Sequence, residues 1–271
     1  MTASDHTGWM DADAPWPPGV RAGCTLRTGG DSLPPWDSFN LGDHVGDSPD
    51  HVIQNRNRLR AMWGIDMPFL VQVHGSSVCR LEPGTEARPV ADAAWTDAPG
   101  TAAVVLVADC LPVLVASADG RCVAAAHAGW RGLAGQHGRG ILEALSESLQ
   151  SDAGQVDLAG ACVWLGPCIG PQAFEVGQEV VEAFTVSDPG ASAHFEAVPG
   201  LTGPPKFMAG LAALARRRLQ RLGFQRIHGN DGSPGWCTHQ QASRFFSHRR
   251  DSVSLGATGR MAALIWRDSG Q

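Results

Sequence analysis

The chain has 271 residues, 43% of them hydrophobic, and a formal net charge of -6. This is enough for one large α/β domain or two small ones, and the acidic balance lacks the basic footprint with which a nucleic-acid binder neutralises phosphates. The amino terminus, MTASDHTGWMDADAPWPP, has no basic stretch followed by an apolar core, and the longest apolar run, AAVVLVADCLPVLVA, is broken by Asp109 and Pro112 short of the ~20 residues of a membrane helix.

Residues 1–20 read as a flexible arm and 21–271 as one catalytic domain, since no repeat or proline- and serine-rich linker divides the chain. A cytoplasmic protein without nucleic-acid or membrane partners is expected. The seven cysteines (24, 79, 110, 122, 162, 168 and 237) form an odd set with no CxxC pair, which fits reduced thiols, most of them packing as small hydrophobes.

In chain order, GDSPDHVIQNRNRLRAMWG predicts a helix. Pro49 follows Ser48, the stripe Val52, Ile53, Arg56, Leu59 and Trp63 has helical spacing, and Gly64 ends it. PFLVQVHGSSVCRLE alternates Leu70, Gln72 and His74 against Val71, Val73 and Gly75, as a strand would, with His74 near its end. AAVVLVA and PVLVA are β-rich, and GLAGQHGRGILEALSESLQ becomes helical from about Arg139. Beyond these, ACVWLG predicts a strand, EVGQEVVEAFTV a helix, KFMAGLAALARRRLQRLG a longer helix, and FQRIHG and RMAALIW two strands. Hairpins mixed with helices indicate α+β layers, and the absence of GxGxxG after a strand and of GxxxxGK[ST] removes the main support for dinucleotide and P-loop sites.

The informative region is VADCLPVLVASADGRCVAAAHAGWR. Asp119-Gly120 between two β-rich runs predicts a type I′ hairpin in which 118 pairs with 121. His127 then lies opposite Pro112, with Cys110 one diagonal step further on the same face, about 7–8 Å away. A Cys/His pair serves either as nucleophile and base or as two metal ligands, and a third donor distinguishes them. His74 is the candidate third donor, in a segment where Gly75 lets the backbone turn away. Three Cys/His/His ligands with an open position suit a catalytic zinc; a half-buried His74, a core Cys110 and a hydrogen-bonded His127 are the plainer alternatives.

QVHGSSV, VADCLPVL, VAAAHAGWRGL, WLGPCIGPQAFEVGQEV, and RFFSHRRD followed by GRMAALIW resemble, in order, the signature segments of the laccase-domain family, whose members are also called polyphenol oxidases, peptidoglycan editing factors or multifunctional purine nucleoside phosphorylases. The resemblance runs from about Arg27 to Trp266. It implies a layered, cysteine-hydrolase-like α/β fold with four layers, and a zinc on His74, Cys110 and His127. It also implies phosphorolysis of adenosine, inosine, guanosine and methylthioadenosine together with adenosine deamination. The family's older assignment is copper-dependent phenol oxidation, and peptidoglycan editing is a third role. The implied partners are purine nucleosides and phosphate, acting on a monomer or small homo-oligomer. A multicopper enzyme needs many histidines in repeated motifs, whereas the ten here are scattered with no HxH pair, which favours zinc over Cu2+.

Other positions of the resemblance carry physical readings. Asp109 is placed to orient a ligand or act as acid/base, or to bond backbone at a strand end. Arg27 in RTGG and Asn40 to His44 in NLGDH lie in glycine-bearing loops suited to closing on a ligand, or to ordinary turns. Arg131 in GWRGLAG, and Arg249 and Arg250 in FFSHRRD, are candidate phosphate holders, with salt bridging as the competing role. Cys168 and Cys237 read as packing. Two features depart from the family pattern: Gly210 stands where family members carry an Asp near a helix start, and the loops around GNDGSPGW and SVSLGATG are longer.

Overall fold

The structure, a computed structural model describing residues 8–85, 88–200 and 203–269, places the two longest apolar runs back to back in separate sheets. The chain begins with β1 (Trp9–Asp11), β2 (Val20–Thr25) and α1 (Pro49–Trp63), then continues through β3 (Val78–Arg80), β4 (Ala93–Thr96), β5 (Ala102–Val107), β6 (Leu111–Ala116) and β7 (Val123–Ala128). After α2 (Trp130–Ala134) and α3 (Ile141–Ser151) come β8 (Cys162–Leu165), β9 (Glu175–Gly177), α4 (Gln178–Thr185), β10 (Phe195–Ala197) and β11 (Lys206–Ala209). The last elements are α5 (Leu211–Arg221), β12 (Arg226–Gly229), α6 (His248–Leu255) and β13 (Met261–Arg267).

Three sheets result, ordered β1-β2-β13-β5, β12-β8-β6-β7-β4-β3 and β10-β11-β9. The first two stack. Ala103, Val105 and Val107 of β5 and Ala263 and Ile265 of β13 meet Leu114, Ala116, Val123 and Ala125 of the six-stranded sheet. The intervening residues face outward, where Val104, Leu106 and Leu264 pack with Leu59 of α1. On the far side, Val113, Val115, Ala124 and Ala126 pack under Leu142, Leu145 and Leu214 of α3 and α5. The architecture is therefore α/β/β/α in four layers. Strands buried on both faces need apolar residues at every position, which is why AAVVLVA shows no alternation.

The hairpin has the predicted register, Pro112 opposite His127 and Leu111 opposite Ala128. Its turn differs. The loop is Ala118 to Arg121, closed by Gly120 N donating to Ser117 O at 2.9 Å. Gly120 has φ 68° whereas Asp119 is not in the left-handed region, so the turn is not type I′. A loop widened by one residue on each side keeps the same centre, so the pairing sum is unchanged.

Four other expectations are corrected. Residues 70–74 form no strand, only an isolated bridge of Val71 to Val90, because the backbone N–H groups there are taken by a side chain described below. Ile53 of α1 is exposed, and the polar Asn55 is buried in its place, bonded to Ser32 Oγ and to the carbonyls of Ser38 and Asn40. The segments expected to open α4 and α5 pair as β9 and β11, so each helix starts later. Finally, Trp9–Asp11 of the expected arm pairs with β2 and Trp9 is buried among Trp63 and Trp266; residues 1–7 lie outside the described residues. Among the described residues no helix is long and apolar enough to cross a membrane.

Candidate metal centre

Asp92, just before β4, organises the site. Its side chain is fully buried, and its two oxygens accept the backbone N–H groups of Val73 (3.1 Å), His74 (2.9 Å) and Gly75 (2.7 Å). This cradle holds His74 at φ 59°, a left-handed conformation that histidine tolerates better than most residues. The same carboxylate lies 2.9 Å from Nδ1 of His127. A carboxylate only accepts, so Nδ1 carries the proton and Nε2 is left free to bind a metal, the arrangement by which an outer carboxylate orients a ligating imidazole. One acid thus places two of the three expected ligands.

The third, Cys110, follows Asp109, whose φ of 82° swings the chain into β6. Cys110 Sγ lies 3.8 Å from His74 Nε2, the two imidazole rings stand 4.7 Å apart nearly perpendicular, and ligand atoms of His74, Cys110 and His127 all lie within 4.8 Å of one another. Adjacent sulfur and nitrogen ligands of a tetrahedral zinc are separated by about 3.5 Å given bonds of about 2.0–2.3 Å, so the donor set fits such an ion. Gly129 closes the back: a Cβ there would stand 2.9 Å from Cys110 Sγ and 3.0 Å from His74 Cδ2.

The electrostatics suit a thiolate. Burial alone would raise the Cys110 thiol, but the charge and hydrogen bonds of His127 and His74 bring it down to about 6. Burial likewise opposes charge on His127, yet Cys110 and Asp92 raise it to about 9. Asp92 is kept below its ordinary range because the hydrogen bonds from His127, Gly75 and Val73 outweigh its desolvation. Without metal the three groups form a thiolate, an imidazolium and a carboxylate; a cation replaces the imidazolium proton.

The ligands open into a cavity of about 410 Å³, within the range of small-molecule sites. Of the sequence-derived candidates, His44, Asp109, Arg131 and Arg249 also line it. Arg27, Asn40 and Arg250 do not. Arg27 bonds Ala242 O and Asp37 and stacks on Phe246. Asn40 is fully buried, accepting from Gly42 N and Arg260 N. Arg250 pairs with Asp251 and donates to the carbonyls of Thr238, His239 and Phe245.

Asp109 spends its oxygens on Thr238 Oγ1 and Arg249 N, both at 2.6 Å, which ties the entrance of β6 to the start of α6. Gly210 caps α5 with no side-chain bond and faces a second cavity of about 300 Å³, where Cys168 also lies. Cys168 and Cys237 are buried bridge partners.

Residues that the sequence reading missed are Asp92 and the cavity-lining Gln72, Phe174, His248 and Arg260. Gln72 bonds both backbone groups of Leu106, through Nε2 at 2.9 Å and Oε1 at 2.7 Å. The signal available for Asp92 was chemical: a ligating His127 requires a carboxylate or carbonyl behind it.

Comparison with known proteins identifies the family. The family described as multi-copper polyphenol oxidoreductase laccase matches residues 21–268. The chain belongs to this family. It is 46% identical over 254 residues to the purine nucleoside phosphorylase YfiH of Escherichia coli, covering 93% of this chain and 96% of that one. It is 45% identical over 258 residues to the purine nucleoside phosphorylase PA4543 of Pseudomonas aeruginosa, covering 95% and 98%. Among solved structures, Neisseria meningitidis protein NMB0706 superposes with a TM-score of 0.85 at 40% identity, over 97% of this chain and all of that one (100%). YlmD of Geobacillus stearothermophilus gives 0.84 at 31% identity, over 98% of each chain. Family membership and relatives of this kind make the chain an enzyme with a candidate metal site on His74, Cys110 and His127.

Proposed function

We propose that the protein is a cytoplasmic, zinc-dependent purine nucleoside phosphorylase that takes adenosine, inosine, guanosine and methylthioadenosine and also deaminates adenosine. The observation that carries this reading is the convergence of a Cys/His/His donor set and several cations in one nucleoside-sized cavity, in a chain 46% identical to a phosphorylase. A zinc ion bound there supplies Lewis acidity and draws charge toward the triad.

The residues of the chain do the rest. Arg131 and Arg249 supply positive charge for phosphate, and the apolar Leu106, Ile169 and Phe174 offer a surface for the purine. In phosphorolysis a phosphate oxygen forms a bond to C1′ as the bond from C1′ to the purine nitrogen breaks. The electron pair leaves with the purine, which takes a proton from the imidazole of His248 at the cavity wall; His44 lines the same cavity, but burial and Arg260 disfavour its charged form. The products are free purine and ribose 1-phosphate. Asp109 acts by holding the start of α6, and with it Arg249, against the metal side. Arg27 and Asn40 contribute by bracing loops, and Arg250 by tying α6 to the preceding segment.

Purified, zinc-loaded protein given adenosine and phosphate should yield adenine and ribose 1-phosphate, and adenosine without phosphate should yield inosine. Cys110→Ala should lose both activities and the metal, checked by product chromatography and metal analysis. Unchanged turnover in a metal-free Cys110→Ala protein overturns the reading.

A further inference from the structure

The cavity that the metal ligands open into is also lined by arginines. Arg131, Arg249 and Arg260 line it, and among the described residues none of them pairs with a carboxylate. Asp109, which also borders the cavity, has both oxygens engaged elsewhere. Arg131 and Arg249 are exposed, so water compensates their charge, and Arg249 also bonds Glu175 O through Nη1 and Nη2. Arg260 is half-buried. Its Nη1 donates to the carbonyls of Thr258 (3.3 Å) and Gly259 (3.1 Å), and its Nε and Nη2 have no protein acceptor among the described residues.

The position of this side chain is built, not incidental. Arg260 N donates to the buried Asn40 Oδ1 at 2.8 Å, and its carbonyl accepts from Leu41 N at 3.0 Å. Its aliphatic stem passes over Gly42, where a Cβ would stand 2.7 Å from Arg260 Cγ. The NLGDH segment therefore acts as a bracket that aims Arg260 into the cavity. Cys110 and Asp109 act on Arg260 through space, but neither is hydrogen-bonded to it, and a partly desolvated guanidinium with two free donors is a fork suited to an oxyanion.

We infer that Arg260 is the anchor of a phosphate-class anion site beside the metal ligands, positioned by Asn40 and Gly42. Three guanidiniums against the single, hydrogen-bonded Asp109 carboxylate match a phosphate dianion better than a singly charged carboxylate. The inference rests on the phosphorolytic reading for its choice of anion, and its test is separable from that reading.

Inorganic phosphate is titrated against the metal-loaded protein by calorimetry and thermal shift, with no nucleoside present. Wild type should bind it; Arg260→Met should lose about 10- to 100-fold in affinity, the range of hydrogen bonds to a charged group, with metal content unchanged. Arg260→Lys should be intermediate, because it restores charge without the fork. Gly42→Ala, which keeps the guanidinium and disturbs only its stem, should weaken phosphate several-fold and raise KM for phosphate more than it lowers kcat. Adenosine 5′-monophosphate as a second probe distinguishes free phosphate from a phosphate ester, and Arg260-dependent binding of either supports the site.

Unaltered phosphate affinity in a metal-replete Arg260→Met protein overturns the inference; if that variant does not fold, unaltered affinity in both Arg260→Lys and Gly42→Ala does so. Arg260-dependent phosphate binding without ribose 1-phosphate formation sinks the phosphorolytic reading alone. Turnover with an unchanged KM for phosphate in Arg260→Met sinks the anion site alone.

Discussion

Two sets of side chains lining one cavity, the ligand cluster and Arg260, handle charge in different ways. On the metal side every charge has an internal answer: Asp92 meets three backbone N–H groups and His127, and His127 in turn faces Cys110. Arg260, lining the same cavity, hydrogen-bonds only two carbonyls, both through Nη1. Several arginines elsewhere are given carboxylates, and others, such as Arg216 on the carbonyls of Ile227 and Asn230, are held through both terminal nitrogens. Arg217 and Arg221 converge on Asp188, and the buried Arg218 reaches Glu143. Within the cavity, the ligand cluster is compensated by the chain, while Arg260 keeps Nε and Nη2 available to something that arrives from outside.

The comparison can be attacked first where compensation is densest. Asp92→Asn leaves one acceptor oxygen for four donors, so zinc affinity should fall at least about 10- to 100-fold, as for other outer partners of ligating histidines, and the melting temperature should drop as well. A zinc competition titration with thermal unfolding checks both. Retention of wild-type affinity would mean that His74 and His127 are placed without Asp92.

A gentler strike is Gly129→Ala, whose methyl would sit 2.9 Å from Cys110 Sγ. Here the fold should persist, with Tm within a few degrees, while zinc binds about 10-fold more weakly, a cost of ~1.4 kcal/mol. Equal losses of stability and affinity would show that the glycine serves the core rather than the site.

The smallest effect is expected at the compensated arginines. Hydrogen bonds from Arg217 at 2.7 Å, opposed by desolvation and joined by Arg221, hold the Asp188 carboxyl well below its ordinary range in the folded state. The unfolded chain therefore binds the proton more readily. The stability contributed by this carboxylate is present above about pH 4, the ordinary aspartate range, and is lost as pH falls through the lower folded value. Asp188→Asn should lower Tm by a few degrees at pH 7 and flatten the acid limb of the stability profile, without touching zinc or phosphate binding.

Much of the centre was legible because its geometry is local. A hairpin centred between Asp119 and Gly120 fixes Cys110 against His127 by counting, and widening the loop symmetrically left that count intact. His74 was a candidate third donor from its place beside Gly75, and the family segments pointed to the same residue. The rest depended on contacts that no spacing announces. Asp92 lies 35 positions from His127, and in PVADAAW it reads as a polar residue at a strand edge. Its capture of the backbone at 73–75 is also why the alternation around His74 did not become a strand. Arg260 reads as the polar start of RMAALIW, and its role emerges only when Asn40 and Gly42, some 220 residues earlier, close over it. Alternation in KFMA was likewise overridden in the reading by the helical run behind it, although β9 and β10 claim it as a strand.

The placement of β13 has a consequence for how the molecule is made. This strand enters between β2 and β5, contributing the central ladder of the four-stranded sheet. On a ribosome, the strands that flank it emerge long before their shared partner, so that sheet closes only after β13 has emerged, and long-range pairing of this kind is slow. Arg260 sits immediately ahead of β13, so the cation of the cavity is set in the same late event. Cys110 and His127 can thus meet on the hairpin, with His74 held beside them by Asp92, before β13 exists, while Arg260 takes its place only as that strand closes the sheet.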